Sequence, residues 1–451
     1  MIKAAFSALP AFFWGGRAIL IVGLACLSLS LSAQNQNAHW GMGQNVMIRF
    51  DDDAPPQILE SKVEFSDGPA ISDENGNLLF YLQPKTVEYQ TVENPIAIHE
   101  CVAYNRYGLP LILNDTIRAY ESGSVILPSP TELNIFYVLS AYPATNDYED
   151  FVDYNRNDKL YCTKIKLIGD TLKVIGYDLI WDEKIERCVG ATRHPNGKDW
   201  WIFAKSRVSP NIAIFTLKED GLSLRNVLPL GSANSIQGPI VPSRITISPS
   251  GKYIAFIYGH KGIIDLFSFN PYLGEFCIKN VITKYGNLFN EVRNPNLLVK
   301  GVIFSSNERY LYIVKYDTLF QYDLLNNTDE IIYIENWGED THGHTWWLDF
   351  SYASYSDDGK IIISHKHVDG LGNILLDSPH NYYLSIVQNP NERGIGCNFE
   401  WFGIFMNGNL IYKTNVFPSL PLYSTNLPNL QADAGRDTFL CVGASARLGS
   451  P

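Results

Sequence analysis

The sequence predicts an all-β chain folded as a seven-bladed β-propeller, and three observations carry the prediction. Aromatic residues make up 13% of the 451 positions, Tyr and Phe above all, and the chain holds 34 Gly and 24 Pro. That mixture favours strands and tight turns over helices. A short apolar strand, a polar turn and a second strand rich in Ile, Tyr and Phe recur along the chain. The turns return about every 50 to 65 residues, too far apart for a helical solenoid and suited to a four-stranded blade with generous loops.

The repeats run in order through "AISDENGNLLFYL" (70–82), "VILPSPTELNIFYVLS" (125–140), "GATRHPNGKDWWIFAKS" (190–206), "ITISPSGKYIAFIYG" (245–259), "GVIFSSNERYLYIVK" (301–315) and "SYASYSDDGKIIISH" (351–365), with "WFGIFMNGNLIYK" (401–413) as a weaker seventh. Asn75-Gly76, Asn196-Gly197, Asp358-Gly359 and Asn407-Gly408 are dipeptides that accept positive φ, as tight hairpins require. The second strands are nearly all apolar, as expected where both faces are covered by neighbouring sheets. "GIIDLFSFN" (262–270) and "DTLFQYDLL" (317–325) alternate apolar and polar residues and read as outer strands. "NVMIRFD" (45–51) is expected to pair into the last blade and close the ring. An array of two-sheet sandwiches is the structural alternative.

The N-terminus reads as a signal peptide over residues 1–33. Lys3 and Arg17 precede the apolar run "AILIVGLACLSLSLSA" (18–33), which ends in small residues suited to cleavage. The run is short for a membrane span, so no transmembrane segment is expected after cleavage; an uncleaved anchor, or a lipoprotein modified at Cys26, are the alternatives. The propeller then occupies residues 34–424. Residues 425–451, after the Pro-rich "FPSLPLYSTNLP" (417–428), read as a linker and the truncated start of a β-sandwich module, which needs about 100 residues to close. The formal net charge is −12 and polybasic runs are missing, so nucleic acid and anionic membrane surfaces are poor partners. Cys101, Cys162, Cys188, Cys277, Cys397 and Cys441 are widely spaced without a C-x-x-C pair. A zinc ribbon or thioredoxin motif is therefore unsupported, and one or two disulfides or free buried thiols are expected.

"HWGMGQNVMIRFD" (39–51), "EFSDGPAISDENGNLLFYL" (64–82), "GATRHPNGKDWWIF" (190–203), "GVIFSSNERYLYIVKYDTLFQYDL" (301–324) and "YYLSIVQNPNERGIGC" (382–397) together resemble a family of secreted propellers of gliding bacteria, WD-repeat-like or TolB-like in fold. In that family the propeller precedes immunoglobulin-like or polycystic-kidney-disease-type modules and a gliding-motility-associated C-terminal sorting domain of the type IX secretion system. "LQADAGRDTFLCVGASARLG" (430–449) resembles the opening of such a module. The resemblance implies an exported, surface-associated or adhesin-like scaffold, secreted or held on the outer cell surface at full length and periplasmic if the chain ends here. It implies no activity, because propellers host hydrolases, lyases and pure binders alike.

Five stretches invite a chemical reading. His342 and His344 in "THGHTWW", and His365 and His367 in "HKH", would share strand faces in pairs, and four imidazoles from adjacent segments can hold zinc or copper. The plainer reading is histidines at a blade edge. His194, Asp199, Trp200 and Trp201 in "HPNGKDWW", with Trp346 and Trp347, combine polar groups and indoles in a way that suits sugar stacking; against that, Asn196-Gly197 is a good turn and the tryptophans start a strand. "DDD" (51–53) and "DENGN" (73–77) lack calcium-loop register. A nucleophile elbow, a His-Glu-x-x-His motif and a phosphate loop are absent, so no catalytic residue and no cofactor is assigned. The expected function is a binding or adhesion module taking a glycan or protein ligand, with a polysaccharide hydrolase or lyase, or a structural spacer, as alternatives.

Overall fold

The protein is described from a computed structural model. It covers residues 39–49, 55–64, 69–143, 158–232, 244–282 and 299–407, apart from 43, 74–75, 91–94, 116, 118–122, 259–261, 316–317, 335–337, 340–344, 357–358, 370–374 and 376–377. The segments expected as signal peptide (1–33) and as linker and sandwich start (425–451) lie outside the described residues.

The described strands form seven sheets. The first is β1 (His39–Met42), β2 (Gln44–Arg49) and β3 (Gln57–Glu64), and the second is β4 (Ala70–Ser72), β5 (Leu78–Gln90) and β6 (Pro95–Asn105). The third holds β7 (Ile112–Leu113), β8 (Val125–Pro128), β9 (Ile135–Pro143), β10 (Asp158–Ile168) and β11 (Thr171–Trp181), in the order β7-β11-β10-β9-β8. Four-stranded meanders follow: β12 (Ile185–Arg193), β13 (Trp200–Ser206), β14 (Ile212–Lys218) and β15 (Gly221–Leu228); then β16 (Arg244–Ile247), β17 (Tyr253–Tyr258), β18 (Ile263–Asn270) and β19 (Glu275–Ile282); then β20 (Val299–Phe304), β21 (Tyr310–Lys315), β22 (Thr318–Asp323) and β23 (Thr328–Ile334). The last sheet is β24 (Gly338–Glu339), β25 (Thr345–Tyr355), β26 (Ile361–Asp369), β27 (Tyr383–Val387) and β28 (Phe399–Phe405). Among the described residues, short 3-10 turns occur at Pro379–Tyr382 and Gly394–Cys397.

Composition explains why each strand takes its place. The second strands are apolar on both faces and are buried on both: all seven residues of β13 are buried, as are five of six in β17. The outermost strands β15 and β23 are largely exposed. Residues 262–270 and 317–325, expected as outer strands, supply the third strands β18 and β22 instead, and β19 and β23 cover them. Five of the six first hairpins share one turn. The N–H of Gly76, Gly197, Gly251 and Gly359 donates to the carbonyl three residues earlier, and Glu308 fills the same place in the β20–β21 hairpin with φ +59°.

This is an all-β propeller with six blades, not seven. Each of the six strong repeats builds one sheet from β4 to β28. The described part of the weak seventh (401–407) builds no blade of its own: β28 is the outermost strand of the last sheet, with Phe402 and Phe405 each 49% exposed, and residues 408–413 lie outside the described residues. The strand before its Asn407-Gly408 dipeptide has an outer strand's exposure rather than a buried strand's. Residues 45–51 also depart from expectation. Arg49, Ile48, Met47 and Val46 pair with β1 on one side, and β2 pairs with β3 on the other, so β2 closes no ladder of the last blade.

Apolar clusters join each sheet to the next. Val125, Leu139, Trp200 and Ile202 belong to one, Phe203, Ile214, Ile254 and Phe267 to another, and Tyr312, Val314, Ile361 and Ile363 to a third. The N-terminal sheet stands between the last blade and the first. Val46 and Ile48 pack on Ile362, Leu384 and Ile386, while Met47 packs on Ala70, Leu78 and Tyr81. Opposite faces of a strand alternate residue by residue, which is how β2 serves both neighbours. First strands of neighbouring blades run side by side, β12 by β16, β16 by β20 and β20 by β25. Cys101, Cys162, Cys188 and Cys397 are buried free thiols, whereas Cys277 is disulfide-bonded.

Candidate functional site

The blades present two unlike ends. At the hairpin end the first strand of a blade turns into the second. At the linker end the chain passes from the outermost strand of one blade to the first strand of the next.

The residues 194–201 lie at the hairpin end of the blade β12–β15. The turn's polar groups serve one another: the Asn196 amide N–H donates to His194 Nδ1 (3.1 Å), and the Asn196 side chain donates to Asp199 (2.8 Å). Burial lowers the His194 pKa, with Asp199 and the Asn196 contact acting the other way. Trp200 and Trp201 are 0% and 2% exposed. Trp200 Nε1 donates to Pro128 O (3.1 Å) and Trp201 Nε1 to Pro271 O (2.7 Å), each in an adjoining blade. Both indoles are therefore inter-blade packing, with their one donor satisfied.

His365 and His367 lie at the opposite, linker end, late in β26, and share a face as their spacing predicts. His365 is 1% exposed; its Nδ1 meets the Ser385 hydroxyl (3.1 Å), its Nε2 meets His380 O (3.1 Å), and its ring stacks on Trp401 at 4.7 Å. His367 Nδ1 meets the Ser378 hydroxyl at 2.6 Å, and its ring lies 4.9 Å from that of His380. Burial pushes the pKa of His365 down to about 3 and that of His367 down to about 4, so both are neutral near pH 7. Both ring nitrogens of His365 are thus engaged within the protein. No group of three or more His, Cys, Asp or Glu among the described residues stands ready for a metal ion. His342 and His344 lie outside the described residues. Trp346 and Trp347 open β25 and pair with Asp369 and Val368; their side chains lie outside the described part.

A denser polar group occupies the same linker end, between the blades β12–β15 and β16–β19. Lys205, at the end of β13, is 2% exposed; its ammonium donates to Ser206 O (2.7 Å) and lies 4.4 Å from the centre of the Tyr258 ring. Asp265, in β18, is 0% exposed and accepts from the Tyr258 hydroxyl (3.0 Å) and the Ser232 hydroxyl (2.7 Å). Glu186 is the second residue of β12 and Arg244 the first of β16, and both lie near enough to Cys188 to act on its thiol. Burial raises that thiol most, Glu186 raises it further, and Lys205 and Arg244 oppose. Burial likewise raises the Tyr258 phenol, followed by the charge of Asp265. Glu183, in the linker before β12, accepts from Ser209 and Asn211. Burial pulls its carboxyl pKa up, but hydrogen bonds from Ser206, Ser209 and Asn211 outweigh that and hold it below the usual range. Such groups survive burial only where partners satisfy them. They escaped the sequence reading although a signal existed: Lys205 in "WWIFAKS" and Asp265 in "IIDLFSF" are charges inside otherwise apolar strands.

No protein-family model and no curated protein matches the chain. Among solved structures it is similar to a putative 6-phosphogluconolactonase from Bacteroides uniformis, at 15% identity over 75% of this chain and 94% of the other, with a TM-score of 0.40. It is similar to a periplasmic gluconolactonase from Pseudomonas aeruginosa at 10% identity over 74% and 93%, with a TM-score of 0.42. A functionally unknown protein from Desulfotomaculum acetoxidans matches at 15% identity over 66% and 85%, with a TM-score of 0.39. None of these likenesses carries a residue or an activity over to this chain.

Proposed function

We propose that this chain is an exported propeller that works as a binding module, taking a glycan or protein ligand at the linker end of its ring. The observation that supports the reading is the difference between the two ends. At the hairpin end, polar groups are used up in tying blades together: Glu308 receives the Ser250 amide (2.6 Å) and hydroxyl (2.8 Å), and Asn391 receives the Ser306 hydroxyl (3.0 Å) and the Asn307 amide (2.9 Å). At the linker end Glu186 is the second residue of β12 and Arg244 the first of β16, with Lys205 and Asp265 behind them. Ligand specificity on a rigid scaffold resides where connections carry polar side chains.

The apolar run of residues 18–33 after Lys3 and Arg17 supports export beyond the inner membrane, and the resemblance to type IX cargo supports a position on the outer cell surface. Glycan-array and pull-down screens with wild type and Arg244→Ala test the reading. Binding by wild type that falls by roughly tenfold or more in Arg244→Ala, the scale of losing a charge-assisted contact, supports it. Silence in both screens at high protein concentration, or binding indifferent to this residue and lost instead on changing the 194–199 turn, overturns it. Turnover of a polysaccharide in the same screen would favour the hydrolase or lyase alternative.

A further inference from the structure

The chain returns to the hairpin end after the third strand of a blade, and in four blades the turn there carries an exposed apolar side chain. Tyr107 follows β6, Tyr272 and Leu273 follow β18, Leu325 follows β22 and Ile395 follows β27. The β8–β9 hairpin adds Leu133, which is 90% exposed. A fixed backbone holds several of these tips out. The side-chain oxygens of Asn105, Asn270 and Asp323 accept from the N–H two residues on, that of Tyr107 (2.9 Å), Tyr272 (3.0 Å) and Leu325 (2.9 Å). One local turn device therefore presents an apolar tip three times. An arginine stands at each of the four turns. The Arg106 guanidinium lies 5.0 Å from the centre of the Tyr107 ring, and Arg225 donates to Leu273 O (2.7 Å). Arg309 donates to Asp323 (3.2 Å), and Arg393, two residues before Ile395, donates to Glu330 (2.6 Å).

We propose that the hairpin end of the ring is a docking face for a zwitterionic phospholipid surface. Single exposed apolar residues need no explanation. Tips that five of the six blades set at one end of the ring do, because a water-exposed side chain on a fixed turn adds nothing to the fold. A protein partner fits the pattern poorly, since charged residues are depleted at the core of protein interfaces, and here a guanidinium accompanies tip after tip. The membrane interface suits both groups at once. Leu, Ile and Tyr enter the boundary of headgroups and acyl chains, while arginine keeps its charge among the phosphates. The formal net charge of −12 disfavours an anionic surface, so the lipid is a zwitterionic one. Docked this way, the ring turns its linker end, where the ligand is assigned, away from the bilayer.

Co-sedimentation of the full chain with phosphatidylcholine vesicles tests the proposal. Wild type should pellet with them, and salt between roughly 0.05 and 0.5 M should change its affinity by less than about 2-fold, because apolar contact carries the binding. Leu325→Ser and Ile395→Ser should each weaken it roughly 3- to 10-fold, the scale of half-burying one such side chain. The double variant should show the product of the two effects. Ile331→Ser, exposed on the flank of β23 in the same blade as Leu325, should leave it unchanged. Wild type that stays in solution, binding that the tip variants leave unaltered, or equal weakening by Ile331→Ser overturns the proposal. A dimer in solution that the tip substitutions dissociate also overturns it and assigns the face to a second copy of this chain. The glycan and pull-down screens play no part in this readout, so it fails or holds separately from the binding reading.

Discussion

Replacing Gly274 by alanine should be costly, and the structure says why. Gly274 closes the turn between β18 and β19 with φ +70°, its N–H donating to Asn270 O at 2.8 Å. A left-handed conformation costs a residue bearing a Cβ about 1–2 kcal/mol. A Cβ here would also lie 2.2 Å from Cη2, 2.6 Å from Cζ3 and 2.9 Å from Cζ2 of Trp201. The indole has no room to withdraw. Its Nε1 is bonded to Pro271 O at 2.7 Å, and its face meets the edge of Phe269 with ring centres 5.7 Å apart. Overpacking of that kind costs about 1–3 kcal/mol, so Gly274→Ala should lose roughly 2–5 kcal/mol in all. Urea denaturation followed by fluorescence measures it. Trp201→Phe in the same background removes the outer ring of the indole. It should return about 1–3 kcal/mol, the steric part, leaving the backbone part in place. A Gly274→Ala protein within about 0.5 kcal/mol of wild type, or a Gly274→Ala deficit that Trp201→Phe leaves unchanged, would refute this account of the inter-blade contact.

The buried histidines predict a loss of stability in mild acid. The folded pKa of His365 is pushed down to about 3, below the value of about 6.5 for an unfolded chain, so the unfolded state binds the proton first. The contribution is complete above about pH 6.5 and is lost as pH falls toward 3, at about 1.4 kcal/mol per pH unit. Urea midpoints between pH 7 and 4.5 should show that slope, and His365→Gln should flatten it by about one proton; an unchanged slope contradicts the assignment. Burial also pushes the thiols of Cys101 and Cys162 up to about 12, with those of Cys188 and Cys397 also raised. A disulfide reagent at pH 8 should leave all four untouched in the native protein and titrate them once urea unfolds it; rapid native labelling of any of them would place that thiol at the surface.

Much of the architecture can be read from residues close together in the chain. The apolar run "WWIFAKS" announces a strand covered on both sides, and "HPNGKD" announces its turn, because both depend on neighbours within a few positions. The blade count does not come out, for a reason of the same kind. "NVMIRFD" shows only its apolar content, and nothing in it says whether its ladder partners stand 10 residues away, as Ile58 does from Ile48, or at the far end of the chain. Hydrogen-bond partnership between strands is a property of the closed ring. The site divides similarly. A period of two puts His365 and His367 on one face, but burial is what holds them neutral, and the groups packed around them, Ser378, His380, Ser385 and Trp401, arrive from later segments. Proximity in space sets those environments, and spacing in sequence carries no sign of it.

The two ends of the blades also show where the fold spends its polar groups. Five of the hairpins place a residue at the same position of the turn, and four of them use glycine. The fifth uses Glu308, which holds φ +59° at a cost of order 1 kcal/mol or more. Glycine would avoid that strain, so the side chain has to return more than the strain takes. It does so through two hydrogen bonds from Ser250 of the neighbouring blade to its carboxyl group, each worth on the order of 1–3 kcal/mol. Strain at the hairpin end is therefore exchanged for ring stability. At the linker end, Lys205 and Asp265 are buried in strands where apolar residues would pack at no electrostatic cost, and replacing buried charges by apolar groups of the same volume is often neutral or stabilising. Ring stability accounts for the polar side chains of the hairpin end. At the linker end part of that cost is returned to the ring as well, because Asp265 accepts from the Ser232 hydroxyl and the Lys205 ammonium lies over the Tyr258 ring of the next blade.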